Sequence, residues 1–118
     1  MATWITICDT CKHDPEDGAG DGARLAELVE TAARGTDLRT RRVSCLMGCG
    51  HGCNVTIQSA GKLCYTLGRF APEAGAAEAI VAYAVLHADS DTGQVPYRQW
   101  PQGVKGHFVT RHPPLPPA

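Results

Sequence analysis

The chain has 118 residues, 43% of them hydrophobic and 19% charged, a length and balance that fit one compact domain. Eleven Lys and Arg against twelve Asp and Glu give a formal net charge of -1, which excludes a general attraction to nucleic acid or acidic lipid. The longest apolar run, Ala79 to Leu86, is eight residues, against roughly 20 needed to cross a bilayer. The opening Met1-Ala2-Thr3-Trp4 carries no basic leader region, so a soluble cytoplasmic protein is expected, with no membrane and no nucleic acid among its partners.

In chain order, Trp4-Ile5-Thr6-Ile7 alternates, is rich in β-branched residues and predicts a short strand ending at Cys8. Residues 9 to 21 are acidic and carry the turn residues Pro15, Gly18 and Gly20, which predicts a loop. Asp21 is placed to cap a helix whose apolar stripe is Leu25, Leu28, Val29 and Ala32, with Gly35 as its stop. Leu38 to Ser44 predicts a second strand. Its arginines (Arg39, Arg41, Arg42) suit a sheet edge.

Cys45-Leu-Met-Gly-Cys49-Gly-His-Gly-Cys53 has no periodicity and predicts a tight loop. Asn54 to Ser59 and Lys62 to Leu67, joined at Ala60-Gly61, predict a hairpin, and Pro72 opens a last helix over Glu73 to His87. Beyond Asp89 the pattern fades into an irregular segment, packed through Tyr97 and Trp100, and a polyproline-like end, His112 to Pro117.

The fold class is therefore α/β. A βαβ unit followed by a β-hairpin and a C-terminal helix makes a four-stranded mixed sheet, the element order of a thioredoxin-like core. Residues 1–100 form the cysteine-rich domain and 101–118 an irregular proline-rich tail.

The six cysteines, at 8, 11, 45, 49, 53 and 64, all lie in the first 64 residues. In a reducing compartment such clustering points to metal or redox work rather than a disulfide framework. Cys8 and Cys11 follow the first strand, and Cys45 and Cys49 follow the second. If those strands are parallel neighbours, both loops leave the same end of the sheet and four sulfurs converge across 33 intervening residues. Four thiolates suit a [2Fe–2S] cluster or a zinc ion. The C-x-x-x-C spacing of the second pair favours the cluster, because structural zinc uses tight C-x-x-C knuckles.

These residues, with the Val-Thr-Ile after Cys53 and Tyr65-Thr-Leu-Gly68, resemble an uncharacterised bacterial family of predicted metal-binding proteins. That family is similar in turn to the thioredoxin-like [2Fe–2S] ferredoxins. The resemblance covers about residues 3 to 100 and implies a small electron carrier with a cluster on Cys8, Cys11, Cys45 and Cys49, served by a reductase or an oxidoreductase as redox partner. The first pair is closer here than in those ferredoxins, which leaves Cys11 the least secure of the four, with Cys53 as the alternative ligand in its place. Members of the resembled family occur near cobalamin-synthesis and cobalt-handling genes.

Two other functions stand beside the carrier, and a homodimer stays open for each. One is a metal-binding module, holding structural zinc or delivering cobalt or another ion, for which the close cysteines and His51 suit exchangeable coordination. The other is a dithiol oxidoreductase built on Cys8-Asp-Thr-Cys11, which the acidic loop after Cys11 and the lack of a proline before the third strand disfavour. His13 and His51 are expected to face solvent, and Cys64 to be a buried packing residue. Arg34, Arg39, Arg41 and Arg42 read equally as a docking patch for an acidic partner or as a charged guard on an edge strand. No catalytic constellation is legible, so a carrier or binding protein is expected rather than an enzyme.

Overall fold

The computed structural model describes residues 2–14 and 16–116, and the backbone alone of Cys49. Pro15 and Pro117, read above as loop and tail, lie outside that description. The architecture is a mixed five-stranded sheet with two helices: β1 (Thr3–Cys8), α1 (Asp21–Ala32), β2 (Arg39–Val43), β3 (Val55–Ser59), β4 (Cys64–Leu67), α2 (Ala74–Asp89) and β5 (Phe108–His112). The strand order is β2-β1-β3-β4-β5. β1 and β2 are parallel, with Trp4 beside Arg39 and Cys8 beside Val43, and every other pairing is antiparallel.

Alternation in the strands divides the sheet into two faces. Ile5 and Ile7 of β1, Val55 and Ile57 of β3, and Tyr65 and Leu67 of β4 are all buried. Against them pack Leu25 and Val29 of α1 and Ile80, Tyr83 and Ala84 of α2, and the two helices also touch one another. α2 is apolar almost all round, as expected of a helix wedged between sheet, neighbouring helix and the segment after it.

The sheet has five strands rather than the four expected. The additional strand, β5, comes from the 101–118 segment, for which the sequence pattern predicts irregular structure. Tertiary packing makes it. Phe108 lies against Trp100 with ring centroids 4.5 Å apart, and it meets Tyr65 and Tyr83 edge-on at 5.4 and 5.2 Å. β5 stops where Pro113 removes the next ladder donor.

A second correction concerns the start of α1. Gly20, in the left-handed conformation with φ 85°, occupies the cap, and Asp21 is the first helical residue. The Asp21 carboxylate instead accepts the His13 amide at 3.1 Å, tying the acidic loop to the helix.

His87 of α2 is fully buried, with Nε2 2.7 Å from the Leu63 carbonyl and no partner on Nδ1 among the described residues. Burial holds its imidazole below the ordinary 6.5, so the folded state keeps it neutral where the unfolded chain takes up a proton. Folding stability from this residue is therefore complete above about pH 6.5. It falls as pH drops below that value, by at most about 1.4 kcal/mol per unit, until the folded-state pKa is reached. Urea unfolding of the native chain and a His87→Gln variant across pH 7.5 to 5.5, about one unit either side of the free imidazole value, checks this. The variant should show a shallower acid slope, and equal slopes would refute the assignment.

Candidate metal centre

The site starts from backbone. Because β1 and β2 run parallel, the segments after Cys8 and Val43 emerge at one end of the sheet, and Asp9 N donates to the Val43 carbonyl at 3.0 Å. Cys8 N donates to Asn54 O at 3.1 Å, which adds the start of β3 to the same place. The loop between is shaped by its own bonds. Asn54 Nδ2 donates to Gly48 O at 2.6 Å and His51 N to the same carbonyl at 2.8 Å, closing a short 3-10 turn over Cys49–His51. The peptide bond between Gly52 and Cys53 is cis. Two glycines permit close approach. A Cβ on Gly22 would stand 2.5 Å from the Cys8 carbonyl oxygen, and one on Gly52 would strike the Lys12 carbonyl.

Cys8 and Cys11 meet at the centre. Both are buried, and their sulfurs are 2.7 Å apart, with the Cys11 thiol donating. Cys8 Sγ also lies 3.9 Å from the Ser44 carbonyl and 3.7 Å from the Thr10 hydroxyl, which itself reaches Ser44 O. Burial pushes the Cys8 thiol up, but hydrogen bonds from Cys11, from the Leu46 amide and from Thr10 outweigh it and hold the thiol below its ordinary 9.0. Cys11 moves the other way, to about 12, through burial, the proton it shares with Cys8 and that neighbour's charge, which the Asn54 amide only partly offsets. The pair thus loses its first proton from Cys8 while Cys11 keeps its own.

The remaining candidates are dispersed around this pair. Cys53 is fully buried, its sulfur 3.9 Å from the Cys11 carbonyl, and burial with the nearby Asp21 charge pushes its thiol up to about 11. Cys45 is exposed, and its sulfur accepts the Met47 amide at 3.2 Å. The Cys49 side chain, the fourth expected ligand, lies outside the described residues. Among the described residues no three His, Cys, Asp or Glu side chains stand together as a metal-holding group. His13 is exposed and His51 half-buried. Cys64, expected in the core, is half-buried on the sheet face away from the helices.

A family described as a protein of unknown function, DUF1636, matches residues 5–114. The chain belongs to that family. No curated protein and no solved structure matches it. In this DUF1636 member no helix among the described residues is long and apolar enough to cross a membrane.

The cysteines of this DUF1636 chain are legible in the sequence, and the groups that surround them are not. Thr10 and the amides of Leu46 and Asn54 act on the sulfurs through positions that carry no motif. Gly22 was legible only as one more glycine in an acidic stretch. Its spacing, eleven residues beyond Cys11 on the first turn of α1, was the available signal.

Proposed function

We propose that the chain is a small cytoplasmic electron carrier on a thioredoxin-like core, with a [2Fe–2S] cluster held by Cys8, Cys11, Cys45 and Cys49. The observation that carries this reading is that Cys8 Sγ lies 3.9 Å from the carbonyl oxygen of Ser44, the residue immediately before Cys45. Backbone dimensions then keep the Cys45 Cα within about 7 Å of that sulfur, a distance its side chain can close by rotation. The topology supports the core assignment: a parallel β1-α1-β2 unit, an antiparallel β3-β4 hairpin beside β1, and α2 packed with α1 on one face.

The donor set fits the group. The Leu46 and Thr10 amides favour the thiolate form of Cys8, and the Asn54 amide that of Cys11, as bound thiolates require. Loading asks the Cys8 and Cys11 sulfurs to open from 2.7 Å and Cys45 to turn away from the Met47 amide. When bound, a cluster of this kind takes up and releases one electron. The chain's own residues do the rest. Cys8 supplies the readily formed thiolate, the amides stabilise added negative charge, and the buried Cys8–Cys11 side excludes water. The exposed Cys45 loop is the side that a reductase or oxidoreductase would approach.

A second reading is favoured by the close sulfurs and their opposed acidities, which are those of an attacking and a resolving thiol. In it, Cys8 thiolate attacks a partner disulfide and releases one partner thiolate. Cys11, giving up its proton, then displaces the second, leaving a Cys8–Cys11 disulfide and a reduced partner.

Iron and acid-labile sulfide analysis of anaerobically purified protein separates the readings. Equal iron and sulfide, with visible absorption that bleaches on reduction, is the expected result. A colourless protein with one zinc per chain ends the carrier reading in favour of the metal-binding module. A metal-free protein that reversibly forms the Cys8–Cys11 disulfide ends it in favour of dithiol exchange.

A further inference from the structure

The face of the sheet away from the helices carries a charge pattern that the cysteine site does not use. Strand register places Arg39 and Arg41 of β2, Trp4 and Thr6 of β1, Gln58 of β3 and His112 of β5 on that face. None of the five strands contains an Asp or Glu, so all twelve acidic residues lie in the helices and the connecting segments. A chain of net charge -1 therefore presents one sheet face whose ionisable side chains are cationic or neutral.

The arginines of β2 sort by face. Arg42 points to the helix side, where it forms a two-pronged pair with Glu30 of α1 at 2.7 and 2.9 Å. Arg39 and Arg41 lean inward over the neighbouring strand, with guanidinium carbons 5.9 and 5.7 Å from the Trp4 ring centroid. Arg41 is fixed there by bonds from Nε to Thr6 Oγ1 at 2.7 Å and from Nη2 to Gln58 Oε1 at 3.4 Å. An edge guard would project past β2 into solvent. These two side chains instead build a held cationic surface on top of the sheet, beside a groove running from Trp4 and Gln58 to Lys62 and Pro113.

We propose that this face docks an extended acidic segment of a partner protein, with carboxylates at alternate positions. Arg39 and Arg41 are two residues apart on one strand, about 7 Å, which is the repeat of same-side carboxylates on an extended chain. Guanidinium forks donate paired hydrogen bonds to carboxylates, and the lack of acidic side chains on these strands leaves complementarity of charge to a partner. Single-stranded nucleic acid fits less well, because the two guanidiniums lie over the Trp4 ring that would otherwise stack a base. The inference does not depend on what the cysteines hold.

The test is a heteronuclear NMR titration of the full chain, cysteine site loaded as purified, at low salt with a short peptide of alternating Glu and Thr. A matched Gln-Thr peptide and a short oligothymidylate serve as comparisons. The expected result is salt-sensitive binding of the Glu-Thr peptide that shifts the Trp4 indole and the Arg39 and Arg41 Nε signals, with no shift from the Gln-Thr peptide. Arg39→Gln with Arg41→Gln should weaken it by at least about tenfold, and Arg42→Gln, on the other face, should leave it unchanged. The proposal is overturned by no binding, by shifts confined to other residues, by binding that survives the double substitution in a chain with a native spectrum, or by tighter binding of the oligothymidylate.

Discussion

On the carrier reading, replacing Cys8 by serine is expected to abolish cluster loading, with iron and sulfide content falling to less than about a tenth of the native level. Cys8 is the sulfur on which the site's donors converge: the Cys11 thiol, the Leu46 amide and Thr10 all act on it, and it is fully buried. Serine keeps the shape but replaces a polarisable thiolate by a hydroxyl that stays protonated, so the proposed four-sulfur set would be broken. The fold should persist, because the β1–β2 and β1–β3 ladders at this point are made by backbone: Cys8 N to Asn54 O, and Asp9 N to Val43 O. Cys64→Ser is the matched control, since Cys64 opens β4 beside Trp4 and Gln58, at the end of the sheet remote from Cys8, and should leave the content intact. Metal and sulfide assays beside far-ultraviolet circular dichroism check both. A folded Cys8→Ser protein with full iron content would remove Cys8 from the ligand set.

The second large effect is expected at Gly22. Alanine is the better helix former by about 1 kcal/mol, so propensity alone predicts stabilisation. Its methyl group would stand 2.5 Å from the Cys8 carbonyl oxygen, 2.8 Å from the Asp9 carbonyl carbon and 2.9 Å from the Cys11 nitrogen. These are backbone atoms that cannot rotate aside, and overpacking of that kind costs about 3 kcal/mol. The sum is a net loss of about 2 kcal/mol. The damage falls on the cysteine loop, because Gly22 N also donates to the Cys11 carbonyl at 2.9 Å. Gly75→Ala in α2, where an added methyl meets nothing within 4 Å, should instead stabilise the protein slightly. Urea unfolding of the two variants should give shifts of opposite sign. Equal, small shifts would show that α1 can move off the cysteine loop without cost.

Legibility followed the kind of signal. Alternation at Trp4 to Ile7 and in the hairpin, helical spacing from Leu25 to Ala32, and the arginine load of β2 each state a side-chain preference, and the corresponding elements stand where they were expected. The fifth strand is hidden because Phe108 to His112 becomes a strand only by packing on Trp100 and on Tyr65 and Tyr83, the last two from distant stretches. Around the cysteines, ligand types were visible as residues. Amides that act on sulfur, and glycines that allow two backbones to touch, belong to the main chain and leave no letter pattern. Cys64 read as core because half-burial on an open polar face cannot be told from full burial by residue type. The two readings of the β2 arginines needed the register, which sends Arg42 to one face and Arg39 and Arg41 to the other.

β5 lies at the rim of the sheet, covering the outer flank of β4, and Phe108 closes the aromatic nest around Tyr65 and Tyr83. A shortened version ending before Gln102 would bare those rings and leave the unpaired amides and carbonyls of β4 as a template for recruiting other strands. β5 thus seals the aromatic nest and moves the open edge of the sheet from β4 to a strand that carries Arg111 and His112 and stops at Pro113.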